Sequence, residues 1–389
     1  MKSKTSNKRN KHNLFNKTKK VIIPSSTPLK IQRISDNIAG NIERNNMLFF
    51  SKRKTGIHSY SPTINQKLIS LKSIPRSEII DCNNKDAFEL KEPLKINVRG
   101  KCYNYYEPQA IQFLLKNLAA NKHINVKKII TPIQSQANCW FNTMFVTFFV
   151  SDKGRKFFHF LRQLMIEGKQ KDGSIIPSNL TNAFSLLNFA IEACLTGNKY
   201  AYELNTNSII HDIYQNIPSS YKKQHSIIVD VDNAGNPLEY YKSIINYLNN
   251  NSILLMLVED SDSSWREKII HMTRGTTHLP HIIVLEVYDD KAGTFNEKPR
   301  SFTVNEAKYV LDSSVVRDTT GQHFSATITC EGQQMGYDGM SFHRLVPLTW
   351  KDKLNKDFTW EFEGSDNTDG TPLRWNYMKS YQLLMYYRS

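Results

Sequence analysis

Cysteine is scarce and unpatterned in this 389-residue chain. There are five, at positions 82, 102, 139, 194 and 330, and no two form a Cys-x-x-Cys pair. An odd count without paired spacing excludes a zinc ribbon and a secreted disulfide scaffold, and it predicts free thiols in a reducing compartment. No apolar run reaches the roughly 18 residues a membrane span needs. The opening Met-Lys-Ser-Lys-Thr-Ser-Asn-Lys-Arg-Asn lacks the apolar segment of a secretory signal, so an intracellular location is expected. Acid is scarce in residues 1–60, where Asp36 and Glu43 stand against 14 Lys and Arg. That segment therefore holds +12 of the formal +15, and the body of the chain is close to neutral.

Residues 1–60 are polar, basic and non-periodic, and they predict a disordered or extended arm, because too little apolar surface is available to offset ordering entropy. Such an arm suits nucleic acid, a membrane surface or an acidic partner; a solvated tail is an equally good reading. Residues 61–100 show no clear pattern and read as a linker or partly ordered extension. With 40% hydrophobic residues overall, the remainder from 101 to 389 can bury a sizeable core.

Within that remainder helical periodicity comes first. Apolar spacing predicts helices over 106–121, 138–150, 179–195, 207–217 and 238–249. Another is capped by Ser151-Asp152 and runs through Met165 to close near Gly168. The register then changes to strand-like runs at Ile253–Val258, His281–Val287, Tyr309–Val316, Phe324–Thr329 and Tyr381–Tyr387. Helices followed by strands is an α+β order.

The residues with chemistry lie at the two ends of this body. Cys139 starts a predicted helix directly after Asn138, a good N-cap residue, and a helix N-terminus favours a thiolate. Gln134, five residues upstream, lies on a loop that can turn back so that its amide and the Cys139 backbone N–H form an oxyanion hole. On the cysteine alone, a small buried hydrophobe is the better reading. His323 opens a strand after a polar turn, and Asp338 follows an aromatic at the next turn. Two antiparallel strands bring such positions together, so Asp338 can hold the imidazole in the tautomer that takes the thiol proton. Asp312 and Asp318 are rivals for that role, although the loop position of Asp318 points it at solvent. Trp140 can wall a cleft but more often such a residue is core, and Cys330 reads as buried packing. His278 and His281 flank Leu279-Pro280 without a carboxylate or cysteine in register, so neither metal nor cofactor is expected. Lys52-Arg-Lys54 has no interleaved aromatics to suggest sequence-specific nucleic-acid recognition.

Taken in order, these landmarks resemble ubiquitin-specific proteases. Gln134-Ser-Gln-Ala-Asn-Cys139-Trp-Phe-Asn142-Thr143 is similar to the family's Asn-x-Gly-x-Thr-Cys-Tyr-Met-Asn-Ser box. Leu279-Pro280-His-Ile-Ile-Val-Leu285 resembles its Leu-Pro-x-x-Leu strand, and Tyr309-x-Leu311 its Tyr-x-Leu segment. His323-Phe324-x-Ala326 matches His-Tyr-x-Ala, and Tyr337-Asp338 matches Phe-Asp. Ser380-Tyr-Gln-Leu-Leu-Met-Tyr-Tyr-Arg388 resembles the closing strand.

The resemblance implies a papain-like cysteine peptidase over 101–389, with a helical lobe carrying the cysteine packed on an antiparallel sheet carrying the histidine and aspartate, and a cleft between them. It implies Cys139 as nucleophile, His323 as base, Asp338 as its orienter and Gln134 as oxyanion donor. The implied substrate bond follows the C-terminal Gly-Gly of ubiquitin or a ubiquitin-like protein. The departures fall on the substrate side. The family's Gln-Gln-Asp-Ala-x-Glu helix is not recognisable, with Asn207–Tyr214 in its place, and its zinc-binding fingers are missing. A compact form with a basic arm and an Asn/Lys/Ile bias is similar to proteases of large DNA viruses, which implies host cytoplasm or a virion. Processing of viral or structural proteins, or an inactive descendant that binds ubiquitin or another partner, are the alternatives.

Overall fold

In the computed structural model, the described residues are 94–389 apart from 121–122, 170–174, 249–254, 260, 276–278 and 289–296. The basic arm, residues 61–93 of the extension, Lys52-Arg-Lys54 and His278 lie outside them.

A two-stranded hairpin comes first, β1 (Lys95–Val98) and β2 (Lys101–Asn104), so it spans the boundary expected at residue 100. Its turn residues Arg99 and Gly100 both have positive φ, the tight geometry that matches strand twist. Helix α1 (Pro108–Ala120) follows, with proline at its first position, where a missing N–H costs nothing.

Helix α2 (Cys139–Phe149) is buried along all of its residues. Its sequence CWFNTMFVTFF is apolar on every side because it lies between layers. One side packs on the sheet, and the other meets a later helix over Pro237–Tyr247. The predicted single helix after Ser151 is two, α3 (Asp152–Phe157) and α4 (His159–Glu167). Ser151 caps α3 as its sequence suggests, accepting from the Gly154 amide. At Gly154 a Cβ would stand 2.1 Å from the Thr147 carbonyl oxygen, so only glycine lets the chain fold back this tightly on α2. Helix α5 (Thr181–Thr196) ends at Gly197 in the left-handed region. Then come α6 (Asn207–Asn216), α7 (Ser219–Gln224) and α8 (Pro237–Tyr247).

Strand β3 (Leu255–Val258), helix α9 (Trp265–Thr273) and β4 (Ile282–Val287) open the sheet. It continues with β5 (Ser301–Val304), β6 (Ala307–Arg317), β7 (Phe324–Cys330), β8 (Gln333–Tyr337), β9 (Leu345–Pro347) and β10 (Gln382–Arg388). The eight strands run in the order β3-β4-β10-β6-β7-β8-β9, with β5 on β6. Pairing is antiparallel except between β3 and β4, which are parallel because α9 carries the chain across. The sheet is therefore mixed rather than purely antiparallel. The two expected lobes also share one continuous hydrophobic cluster, with α2 seated directly on β6 and β7.

The cysteines depart from the expectation of five free thiols. Cys102 is disulfide-bonded, whereas Cys139, Cys194 and Cys330 are free and buried.

Candidate active site

Cys139 occupies the first position of α2, but Asn138 before it does not cap the helix with its side chain. The carboxamide instead reaches α6, donating to Asn207 Oδ1 at 2.7 Å and Thr206 Oγ1 at 3.3 Å, and it accepts from Asn142 Nδ2 at 3.2 Å. Thr206 closes the ring by donating to Asn142 Oδ1 at 2.6 Å. Asn207 extends the network to Ser135 and Gln136 at 2.9 and 3.0 Å. The Asn138 backbone carbonyl still receives the amides of Phe141 and Asn142. The loop before the cysteine is thus held by polar side chains of α6, at the place where a family substrate helix was expected. Trp140 is core rather than wall, with its ring 4.6 Å from that of Tyr240 and 1% of its surface exposed.

His323 precedes β7 and is placed by the loop that Asp318 organises. Asp318 is buried, contrary to the expectation that it faces solvent. Its carboxylate accepts the amides of Thr320 at 2.8 Å, Gln322 at 2.7 Å and His323 at 2.6 Å, so it shapes the turn and does not touch the imidazole. Asp312 is likewise committed elsewhere, accepting the Lys153 and Gly154 amides at 3.0 and 3.4 Å at the start of α3. Burial raises its carboxyl above the usual range.

Asp338 is the carboxylate that meets the histidine. Ala326 lies opposite Tyr337 in the β7–β8 register, which brings the start of one strand to the end of the other. His323 Nε2 and Asp338 Oδ1 are 2.6 Å apart, with both side chains buried. Oδ1 also takes the Met340 amide at 3.3 Å, and Oδ2 accepts from the Ser365 hydroxyl. With Nε2 taken, Nδ1 is the nitrogen left for a second partner. Cys139 lies near enough to contribute to raising the imidazole pKa. Burial pulls the imidazole pKa down, but the Asp338 carboxylate and the bonds to Asp338 and Cys139 outweigh it and hold it at about 10. An imidazole that retains a proton this firmly suits a thiol that has to lose one.

Gln134 lies against Gly339, the residue after Asp338. Its backbone amide donates to the Gly339 carbonyl at 2.9 Å, and its Oε1 is buried without a hydrogen-bond partner. Two further bonds tie the cysteine loop to the sheet: Tyr337 donates to the Pro132 carbonyl at 2.9 Å, and Arg344 to the Thr131 carbonyl at 2.5 Å. Arg344 and Ser365 carried no signal in the sequence, and the Tyr337 signal did not reveal this bond, because each acts through a distant backbone or carboxylate oxygen.

The remaining candidates do not join the site. Cys330 is packing, and burial pushes its thiol up to about 12. His281 is buried with its ring 5.3 Å from that of Phe157. Among the described residues no three His, Cys, Asp or Glu side chains are grouped to hold a metal, and no helix is long and apolar enough to cross a membrane.

No family model matches the chain, and no curated relative matches it. Among solved structures, it is similar to the SAGA DUB module Ubp8/Sgf11/Sus1/Sgf73 bound to monoubiquitin, with TM-score 0.39 and 10% identity over 67% of this chain and 69% of that chain. It is also similar to an essential yeast splicing factor, with TM-score 0.39 and 11% identity over 76% of this chain and 83% of that one.

Proposed function

We propose that the protein is a thiol-dependent hydrolase of the deubiquitinating kind, cleaving after the C-terminal Gly-Gly of ubiquitin or a ubiquitin-like protein. The observation that supports this reading is the buried His323–Asp338 pair, 2.6 Å apart, with buried Cys139 near enough to influence the imidazole. His323 takes the thiol proton, and the sulfur attacks the carbonyl carbon of the terminal glycine. The Gln134 side-chain amide and the Cys139 backbone N–H stabilise the oxyanion. Collapse of the tetrahedral intermediate expels the amine with the proton from His323, and water, deprotonated by the same imidazole, releases the acyl group. Support for ubiquitin over other chains comes from the ordered landmarks between Gln134 and Arg388.

The test is covalent labelling of the full chain by ubiquitin carrying a C-terminal electrophile. A single adduct is expected on Cys139, and Cys139→Ala abolishes it. Absence of labelling, with Cys139 still alkylated by iodoacetamide, would reassign the enzyme to another protein substrate. Labelling that survives Cys139→Ala overturns the nucleophile.

A further inference from the structure

Asp338 is fully buried, and a buried carboxylate needs donors on both oxygens or it neutralises. Oδ1 is engaged by His323 and Met340. The side-chain donor to Oδ2 comes from far along the chain, the hydroxyl of Ser365, itself fully buried. Ser365 is held on a short excursion between Trp360 and Trp375, which pair with each other through two backbone bonds of 3.0 Å. Its amide donates to Phe362 O at 3.1 Å, and its carbonyl receives the Leu373 amide at 2.9 Å. The same excursion sets the Trp375 ring 5.9 Å from the His323 ring at 66°, edge to face. One segment therefore contacts both His323 and Asp338.

We propose that Ser365 is a positioning residue for the Cys139 site, fixing the Asp338 carboxylate so that Oδ1 alone faces the His323 imidazole. The inference rests on the reading of His323 as the base for Cys139. Without the Ser365 hydroxyl, the carboxylate is free to turn about its Cβ–Cγ bond and exchange its oxygens. One of those oxygens also loses its donor in a buried site. Both effects loosen the imidazole at the moment the thiol proton is transferred.

The test follows iodoacetamide alkylation of Cys139 in the full chain, read by mass spectrometry on the peptide containing it, from pH 6 to pH 10. Ser365→Ala is expected to slow alkylation about tenfold at pH 6, the scale of one hydrogen bond to a charged group, with the difference closing by pH 10, where the thiol ionises without help. A merely structural role would change the rate evenly across this range or leave it unchanged, and either result, in a variant that unfolds cooperatively like the parent, overturns the proposal. Ser365→Cys keeps the volume with a weaker donor and should give a smaller effect of the same pH dependence. It decides the matter if the alanine variant does not fold. His323→Ala separates the two levels. If that variant keeps the parent profile, the reading of the base fails. If it shifts the profile and the Ser365 variants do not, only the role of Ser365 fails.

Discussion

Tyr337 gives its hydroxyl to the Pro132 carbonyl at 2.9 Å, so the residue before the carboxylate grips the loop that leads to the thiol. Both groups are buried, and the neighbouring Arg344 and Gly339 bonds act on the same stretch. The loop before Cys139 is thus fastened to the sheet. Tyr337→Phe should cost about 1 kcal/mol in urea unfolding, since a buried carbonyl loses its donor while the ring still packs. It should also raise amide exchange in residues 131–138 above that in α5; equal exchange in parent and variant would show that the loop is held by other means.

Asp338→Asn keeps the size of the side chain and removes its charge. With the coulombic support gone, burial is the main influence left on His323, and the imidazole falls from about 10 toward or below its ordinary value. Turnover of ubiquitin bearing a fluorogenic C-terminal amide should drop roughly a thousandfold in kcat with little change in KM, as expected for an orienting carboxylate. A loss confined to KM would move Asp338 from the chemistry to substrate binding.

Gly235 lies against the Trp140 indole, where a Cβ would come within 2.5–2.8 Å of ring atoms. Because Trp140 is buried between the rings of Tyr240 and Phe141, it has nowhere to retreat. Gly235→Ala should destabilise the fold by about 1–3 kcal/mol through overpacking and perturb the tryptophan emission. Since Trp140 adjoins Cys139, alkylation of the thiol should change as well. An unchanged Tm would mean that the 230–236 loop can lift off at no cost.

Two histidines set opposite pH limbs. His159 is lowered from 6.5 to about 4, first by burial and then by the charge of Arg162, against a hydrogen bond to the Leu118 backbone. A depressed histidine favours the neutral form, so its contribution is complete above about 6.5 and is lost as pH falls toward 4. His323 is raised to about 10, so its contribution is complete below 6.5 and is lost as pH climbs through 10. Tm should therefore peak near neutrality. His159→Gln should flatten the acid limb and His323→Gln the alkaline one, which differential scanning calorimetry across the range will read.

Much of the helical body was legible from apolar spacing, because helices such as α5 carry long periodic faces and explicit stops such as Gly197. The break at Phe158 was hidden, since the apolar periodicity runs through it. Strands β5, β8 and β9 were missed because they are short and bounded by turns such as Asn305-Glu306, whose positive φ values are unusual for those residues. The parallel β3–β4 pair depends on a helix crossing between them, which no strand pattern reveals.

At the site, Cys139, His323 and Asp338 were singled out from chain order and turn position, and the structure pairs His323 with Asp338. Asn138 was read as a helix cap because such a residue at a helix start usually is one; here α6 supplies better partners. Asp318 was read as solvent-facing because it stands in a polar loop. What sequence cannot display is that three backbone amides converge on it. Ser365 lies 27 residues beyond its carboxylate partner, and one serine in a loop looks like any other.

The Asp318 turn has a consequence for strand alignment. Side chains alternate across a sheet, so sliding β7 by one residue against β6 would send His323 to the opposite face, away from both its partners. The three amide bonds to Asp318, together with the Asp318 amide's bond to the His323 carbonyl at 2.7 Å, count out the loop residue by residue and leave no slack for such a slide. This carboxylate thus acts as a reading-frame stop for the hairpin, fixing which side of the sheet the imidazole faces.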